Sequence, residues 1–185
     1  SIEKIMEDEL VTVRLRDTIL EMASPAIRHT ATLAGNIGNA SPAGDSLVPM
    51  YLLDALVEVR SINNVRKVAL KDFITGVRRI DLNKDELITK VIIPKISYSK
   101  GYFKKVGPRL SDAISKLSFA GLYCISNGIV QDIRFAFGAI NVTVVRSREL
   151  EERLIGKKVS KVKEMGDEIL SWFEEYIKPI DDQRS

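Results

Sequence analysis

Two apolar runs, Leu117 to Ser126 and Ile129 to Ile140, are separated only by Asn127-Gly128. That dipeptide accepts positive φ at both positions, so it closes a tight hairpin and forces the two runs to pair antiparallel. Tyr102-Phe103-Lys104-Lys105-Val106 reads as a third strand just upstream, and an antiparallel meander is the simplest topology. Leu150 and Leu154 then lie four apart before Gly156. Beyond them Val162, Met165, Ile169, Trp172 or Phe173, and Tyr176 mark one face of a longer helix that ends at Pro179. The second half of the chain is therefore expected to be a small three-stranded antiparallel sheet packed on helices.

The first half reads differently. Leu15, Ile19, Leu20, Met22 and Ala23 have helical spacing, and Pro25 disfavours helical geometry at Ser24, so a helix is expected to end near Ala23. From Ile27 to Pro49 the chain is rich in Gly, Ala, Ser, Thr and Asn, a composition of turns and close backbone approach. An irregular loop is the expectation there. Short β-like runs follow at Leu56 to Arg60 and Val65 to Leu70, joined through Asn63-Asn64, and another at Leu87 to Ile93, closed by Pro94. The polar stretch Ser97-Tyr98-Ser99-Lys100-Gly101 is the expected boundary, dividing the chain into residues 1–96 and 97–185. The fold class is α+β.

Composition narrows the function. With 185 residues, 45% of them hydrophobic, the chain has enough apolar surface for a real core. The net charge of +3 is scattered among acidic neighbours, which disfavours nucleic acid as a partner. Cys124 is the only cysteine and His29 the only histidine, so neither an internal disulfide nor a zinc or iron–sulfur site can be assembled from this chain alone. No apolar stretch approaches the roughly 20 residues a membrane helix needs. Residues 1–9 are too acidic for a signal peptide, and a cytoplasmic, reducing location is expected.

The segment Thr32 to Asp45 carries the chemistry. Main-chain amides converging on a pyrophosphate can hold it without lysine, provided that no side chains intervene. Ala34, Gly35, Gly38 and Gly44 meet that need. Thr32, Asn36, Asn39 and Ser41 offer hydroxyls and amides, and Asp45 offers a carboxylate to ribose hydroxyls. By composition alone, a plain connecting loop fits equally well. The dinucleotide fingerprint G-x-G-x-x-G is not present, so a Rossmann site is disfavoured.

Thr32-Leu33-Ala34-Gly35-Asn36, followed by Ala40-Ser41-Pro42-Ala43-Gly44-Asp45 and Leu53-Asp54-Ala55, resembles the second flavin-binding segment of the FAD-binding subunits of the xanthine dehydrogenase and carbon monoxide dehydrogenase family, the molybdenum hydroxylases. The resemblance continues at Ile27-Arg28, Glu86-Leu87-Ile88 with Ile92-Ile93-Pro94, Phe103-Lys104-Lys105-Val106, Ser111-Asp112-Ala113-Ile114, and Glu149 with Leu154 and Gly156. It implies the second subdomain of a two-part FAD-binding fold, followed by a domain like the C-terminal domain of the CO dehydrogenase flavoprotein. It also implies an electron relay from a molybdenum cofactor through iron–sulfur clusters to FAD and then to NAD or another acceptor, with the metal centres on molybdenum and iron–sulfur partner subunits.

By matching position, Thr32, Leu33, Ala34, Gly35 and Asn36 would wrap the FAD diphosphate, with Asn39 among the polar contacts and Asp45 at the ribose or adenine end. Met22 matches a further cofactor contact. Ile88 would pack near the adenine or ring system, and Lys104 would place a cation that favours a reduced, anionic flavin. Where the family has Gly-Gly this chain has Ala34-Gly35, which is tolerable if φ is negative at Ala34. The family's upstream subdomain, with its own Gly-rich flavin loop, has no counterpart in this sequence, and Asp181 to Ser185 resembles the opening of the family's final helix. A fragment, or a subunit whose other part is a separate chain, is the expectation, and one not active alone.

Two other functions compete: a scaffold that docks partner subunits with an incomplete flavin site and binds no FAD by itself, and a general adenine-nucleotide domain. His29 has no identifiable acid or thiol partner and reads as a loop histidine. Cys124 reads as a small core hydrophobe, and Trp172, Phe173 and Tyr176 as the interface between helix and sheet.

Overall fold

The structure is a computed structural model and describes residues 1–5, 13–96, 98, 100–109 and 112–179. Ser97 and Ser99 of the expected boundary, Ser111 of the family resemblance and the terminal Asp181 to Ser185 lie outside the described residues.

The first half begins with four short helices: α1 (Ile2–Ile5), α2 (Val13–Leu20), α3 (Pro25–Thr30) and α4 (Leu33–Asn39). A fifth, α5 (Leu47–Leu52), leads into β1 (Leu56–Arg60) and β2 (Val65–Ala69). After α6 (Leu70–Phe73) come the small ribbon β3 (Ile74–Gly76) and β4 (Arg79–Ile80), then β5 (Leu87–Ile92). The order β2-β1-β5 makes a three-stranded antiparallel sheet, with Val57 opposite Val68 on one side and Val91 on the other.

The segment from Ile27 to Pro49 is not the irregular loop that its composition suggests. It holds α4 and parts of α3 and α5, each with a local cause. Pro25 occupies the first turn of α3, where a missing amide hydrogen costs nothing. Thr32 caps α4, and Ala40 ends it with the left-handed φ of 44°.

In the second half β6 (Lys100–Val106), β7 (Leu117–Ser126) and β8 (Ile129–Gly138) form the expected meander in the order β6-β7-β8. Asn127 and Gly128 have φ of 50° and 73°, the doubly positive turn that matches strand twist. Lys105 pairs with Ser118, and Ser118 with Gly138, so these three lie in one row across the sheet. Behind the sheet come α7 (Arg148–Glu152), α8 (Val159–Glu164) and α9 (Gly166–Glu174). The single long helix read from the apolar spacing is broken between α8 and α9, where Gly166 has the least helical preference of any residue but proline. Phe173 is the aromatic that turns inward. It meets Phe137 at 5.1 Å and the edge of Phe135 at 6.3 Å.

Helix α5 joins the halves. All six of its residues are buried, so it is apolar on every side and needs cover all round. Val57 and Val59 of β1, Phe73 of α6, Ala120 and Leu122 of β7, and Ala136 of β8 belong to the same core cluster. Its last carbonyls are closed by cations from the second half: Arg134 donates to the oxygen of Leu52, and Arg146 to that of Tyr51. Asp54 ties both guanidinium groups at 2.6 Å.

Glu151 is fully buried on α7, accepting from the Phe135 amide at 2.8 Å and from Arg146 Nε at 3.0 Å. Replacing one member of such a buried pair leaves the other charge uncompensated. Glu151→Leu is expected to lower the free energy of unfolding by roughly 3 kcal/mol in urea denaturation.

Candidate functional site

Thr32 sits in extended geometry before α4 and its Oγ1 accepts from the Gly35 amide at 2.9 Å. The Leu33 and Ala34 amides belong to the first turn, where helical geometry provides no acceptor. The buried side chains of Leu33 and Ile37 anchor the helix in the core while Thr32, Gly35 and Asn39 stay exposed. A Cβ on Gly35 would stand 2.8 Å from Thr32 Oγ1, so glycine there keeps both the cap and an unobstructed helix start. Ala34 lies inside the helix, where φ is negative, and its extra methyl causes no backbone strain.

The turn after α4 is locked in place. Ser46 Oγ donates to Asn36 Oδ1 at 2.6 Å. Gly44 fits beneath them: a Cβ there would be 3.1 Å from Leu47 Cδ1 and 3.2 Å from Asn36 Oδ1. Asp45 is buried. Lys105 Nζ donates to its Oδ2 at 2.7 Å and also lies 3.4 Å from the Glu21 carbonyl, while the buried Ser115 hydroxyl donates to Oδ1. Both carboxylate oxygens thus already accept from within the chain. On the other flank, Ile88 Cδ1 stands 3.9 Å from where a Gly38 Cβ would be, which places β5 against α4.

Lys104, exposed, and Lys105, whose ammonium turns in to Asp45, both line a cleft of about 720 Å³ with Leu20, Glu21, Ala23, Arg109 and Asp112. Met22, within the Leu20 to Ala23 segment beside that cleft, has a buried side chain packed with Ile2, Leu15 and Ile19. Arg28 holds this corner, donating from Nη1 to the carbonyls of Met22 at 2.7 Å and Ala23 at 2.9 Å, and from Nε to Glu3 at 2.6 Å.

Thr32, Leu33, Ala34, Gly35, Asn36 and Asn39 are thus gathered on α4 with Ile88 against it, while Asp45 reaches Lys104's strand through Lys105. Met22 is near as backbone and buried as side chain. Sequence reasoning missed Lys105, Ser115, Ser46 and the structural role of Arg28. Strand alternation was the available signal for Lys105, since of two adjacent lysines on a half-covered strand one must face inward. His29 is exposed, with Nδ1 2.7 Å from the Pro25 carbonyl. Among the described residues no group of three or more His, Cys, Asp or Glu is placed to hold a metal, and no helix is long and apolar enough to cross a membrane.

Glu86 fixes the turn before β5. Its carboxylate accepts from Arg66 Nε at 2.8 Å and Nη2 at 2.7 Å, and from the Asn83 amide at 2.8 Å. Those bonds, Arg66 first, hold its carboxyl well below the usual range, at about 2. A carboxyl depressed by folding contributes stability that is complete above its unfolded pKa of about 4.3 and lost as the pH falls through the folded value. The stability gap between wild type and Glu86→Gln in urea denaturation is therefore expected to be widest near neutrality and to close as the pH approaches 2.

Residues 1–96 match the family model for the FAD binding domain in molybdopterin dehydrogenase, and residues 102–185 match that for the CO dehydrogenase flavoprotein C-terminal domain. The chain belongs to this family of FAD-binding domains of molybdopterin dehydrogenases. It is 31% identical over 159 residues to the glyceraldehyde dehydrogenase medium chain of Sulfolobus acidocaldarius, covering 85% of this chain and 55% of that protein. It is 32% identical over 134 residues to the xanthine dehydrogenase FAD-binding subunit of Escherichia coli O157:H7, covering 71% and 46% respectively. The chain thus spans about half the length of these curated relatives. A chain of reconstituted CO dehydrogenase from Oligotropha carboxidovorans shares the fold, with a TM-score of 0.89 at 21% identity over 100% of this chain and 65% of that one.

Proposed function

We propose that this chain forms the FAD-binding part of a molybdenum-containing dehydrogenase in the cytoplasm. In that role electrons pass from a molybdenum cofactor through iron–sulfur clusters on partner subunits to FAD, and on to NAD or another acceptor. The observation that carries this reading is the start of α4. Its Leu33 and Ala34 amides have no acceptor within the helix, its cap is in place on the Gly35 amide, and the Asn36 side chain is already held by Ser46. A diphosphate suits such a site, because fixed donors lose little freedom when the anion arrives. FAD, when bound, supplies the electron-accepting chemistry, and the chain supplies binding and electrostatics.

In this reading Thr32, Leu33, Ala34, Gly35 and Asn36 surround the diphosphate and Asn39 contributes a polar contact one turn on. Ile88 gives the cofactor an apolar wall beside α4, and Lys104 offers its ammonium from the cleft. Met22 acts through its backbone at the edge of that cleft, since its side chain is buried. Asp45 stands at the ribose or adenine end, its carboxylate held by Lys105 and Ser115 with acceptor lone pairs to spare. The division at residue 97 separates the cofactor-holding half from the half that presents Lys104. The family membership and the resemblance to subunits named for FAD support this assignment.

The test is the visible spectrum of the complete flavoprotein that contains this chain. A flavin spectrum is expected in the wild type. Gly35→Val is expected to weaken FAD binding at least about tenfold, a loss near 1.4 kcal/mol, beyond the roughly 1 kcal/mol of stability that crowding the Thr32 cap costs. Colourless wild-type protein that still assembles with its partners would sink the proposal and leave a docking role.

A further inference from the structure

A cavity of about 460 Å³ opens at the C-terminal end of α5, between the two halves of the chain. The first half lines it with Met50, Tyr51 and Leu56 and, from α6, Leu70 and Lys71, while the segment 143–148 closes it from the second half. Among the described residues it shares no lining group with α4 or with the cleft at Lys104. Its walls are apolar at Met50, Leu56, Leu70 and Val144, and its free polar groups are donors. Tyr51 is 7% exposed, and its hydroxyl is buried with no hydrogen-bond partner among the described residues. Burial, and then the Asp72 carboxylate on α6, push this phenol well above its usual range, so it stays protonated. The exposed Lys71 has no ion pair among the described residues. Arg148 is held through Nη1 by Asp132 and through Nε by Glu152, which leaves its Nη2 to donate. Asp54, the acidic residue of the lining, has both oxygens taken, Oδ1 by Arg146 and Oδ2 by Arg134.

An apolar cavity whose free polar groups donate, and whose acidic group is already satisfied, selects a ligand that brings acceptors. A buried hydroxyl left without a partner also costs free energy that an arriving acceptor recovers. We propose that this cavity binds a small monocarboxylate with an apolar body, the carboxylate accepting from the Tyr51 hydroxyl and facing Lys71 while the body lies on Met50, Leu56, Leu70 and Val144. A single negative charge suits the site better than a phosphate. Arg146 and Arg148 are already held by Asp54, Asp132 and Glu151, so Lys71 is the lining cation left uncompensated among the described residues, and Asp72 beside the phenol opposes a second charge. None of these groups takes part in the proposed flavin site.

The experiment is a calorimetric titration of the complete flavoprotein that contains this chain, alone and assembled with its partners, using 3-phenylpropanoate and its neutral amide as probes. Saturable binding of the carboxylate is expected in both states, at least about tenfold tighter than that of the amide. Tyr51→Phe keeps the ring and removes only the unpartnered hydroxyl. It is expected to weaken carboxylate binding about tenfold while leaving the unfolding midpoint of the unliganded protein unchanged or raised. Lys71→Met, at an exposed position that folding tolerates, is expected to weaken binding severalfold. The absence of saturable binding overturns the inference, as does equal affinity for acid and amide or an affinity that Tyr51→Phe leaves unchanged. Binding that disappears on assembly overturns it as well, because a partner's surface is then the occupant.

Discussion

Helix α5 has no face for water, and the rest of the molecule is arranged around that constraint. Six consecutive buried residues must be covered all round and by a closing group at the end. Helices α2 and α6 pack on it from the first half and β7 with β8 from the second, and Val57 and Val59 of β1 belong to the same cluster, so the two halves share one hydrophobic core. The carbonyl end, which would otherwise be buried unsatisfied, is met by Arg134 and Arg146. Those two cations are themselves balanced by Asp54, Glu151 and Asp132, so closing the helix end recruits a charge network that reaches α7.

The same economy governs the helix start at Thr32. Small residues there clear space for a ligand, yet small residues also leave a backbone underdetermined. The chain resolves this with polar locks from outside the segment: Ser46 on Asn36, and Lys105 with Ser115 on Asp45. A site held this way has lost its conformational freedom during folding instead of during binding. Linking those locks to β6 also means that the electrostatics of the cleft and the shape of the turn after α4 are set by shared residues.

Much of this was legible in the residues, and the reason differs from element to element. The meander could be read because Asn127-Gly128 states its own turn geometry locally. The apolar face carrying Trp172 or Phe173 could be read because helix periodicity is local too, and the fold selects Phe173 as the buried one. What escaped was decided by tertiary contact. Helices α3 and α4 lie at least partly in a stretch that by composition is turn-forming; α3 opens on Pro25 and buries Arg28, and α4 persists because Leu33 and Ile37 are buried and Thr32 supplies a cap. The break between α8 and α9 was masked by apolar spacing that continues through Gly166. Roles at single residues were the least legible: Asp45 reads as an acceptor for a sugar, and only the fold reveals a lysine and a serine already waiting on both of its oxygens. Family resemblance supplied the order of the motifs but gave no role to Lys105 and did not reach Ser46.

The row Gly138, Ser118, Lys105 spans the second sheet and ends at Asp45. A Cβ at Gly138 would lie 2.7 Å from Val48 Cγ2 and would also crowd Ser118 Oγ. Glycine at that position therefore works as a gauge: it sets how deeply the helix that follows Asp45 seats against the strands. The seating of that helix, and with it the approach of Asp45 to Lys105, is thereby coupled to bulk at an uncharged residue two strands away, so a steric change at the far edge of the sheet and a shift of the ion pair become one event.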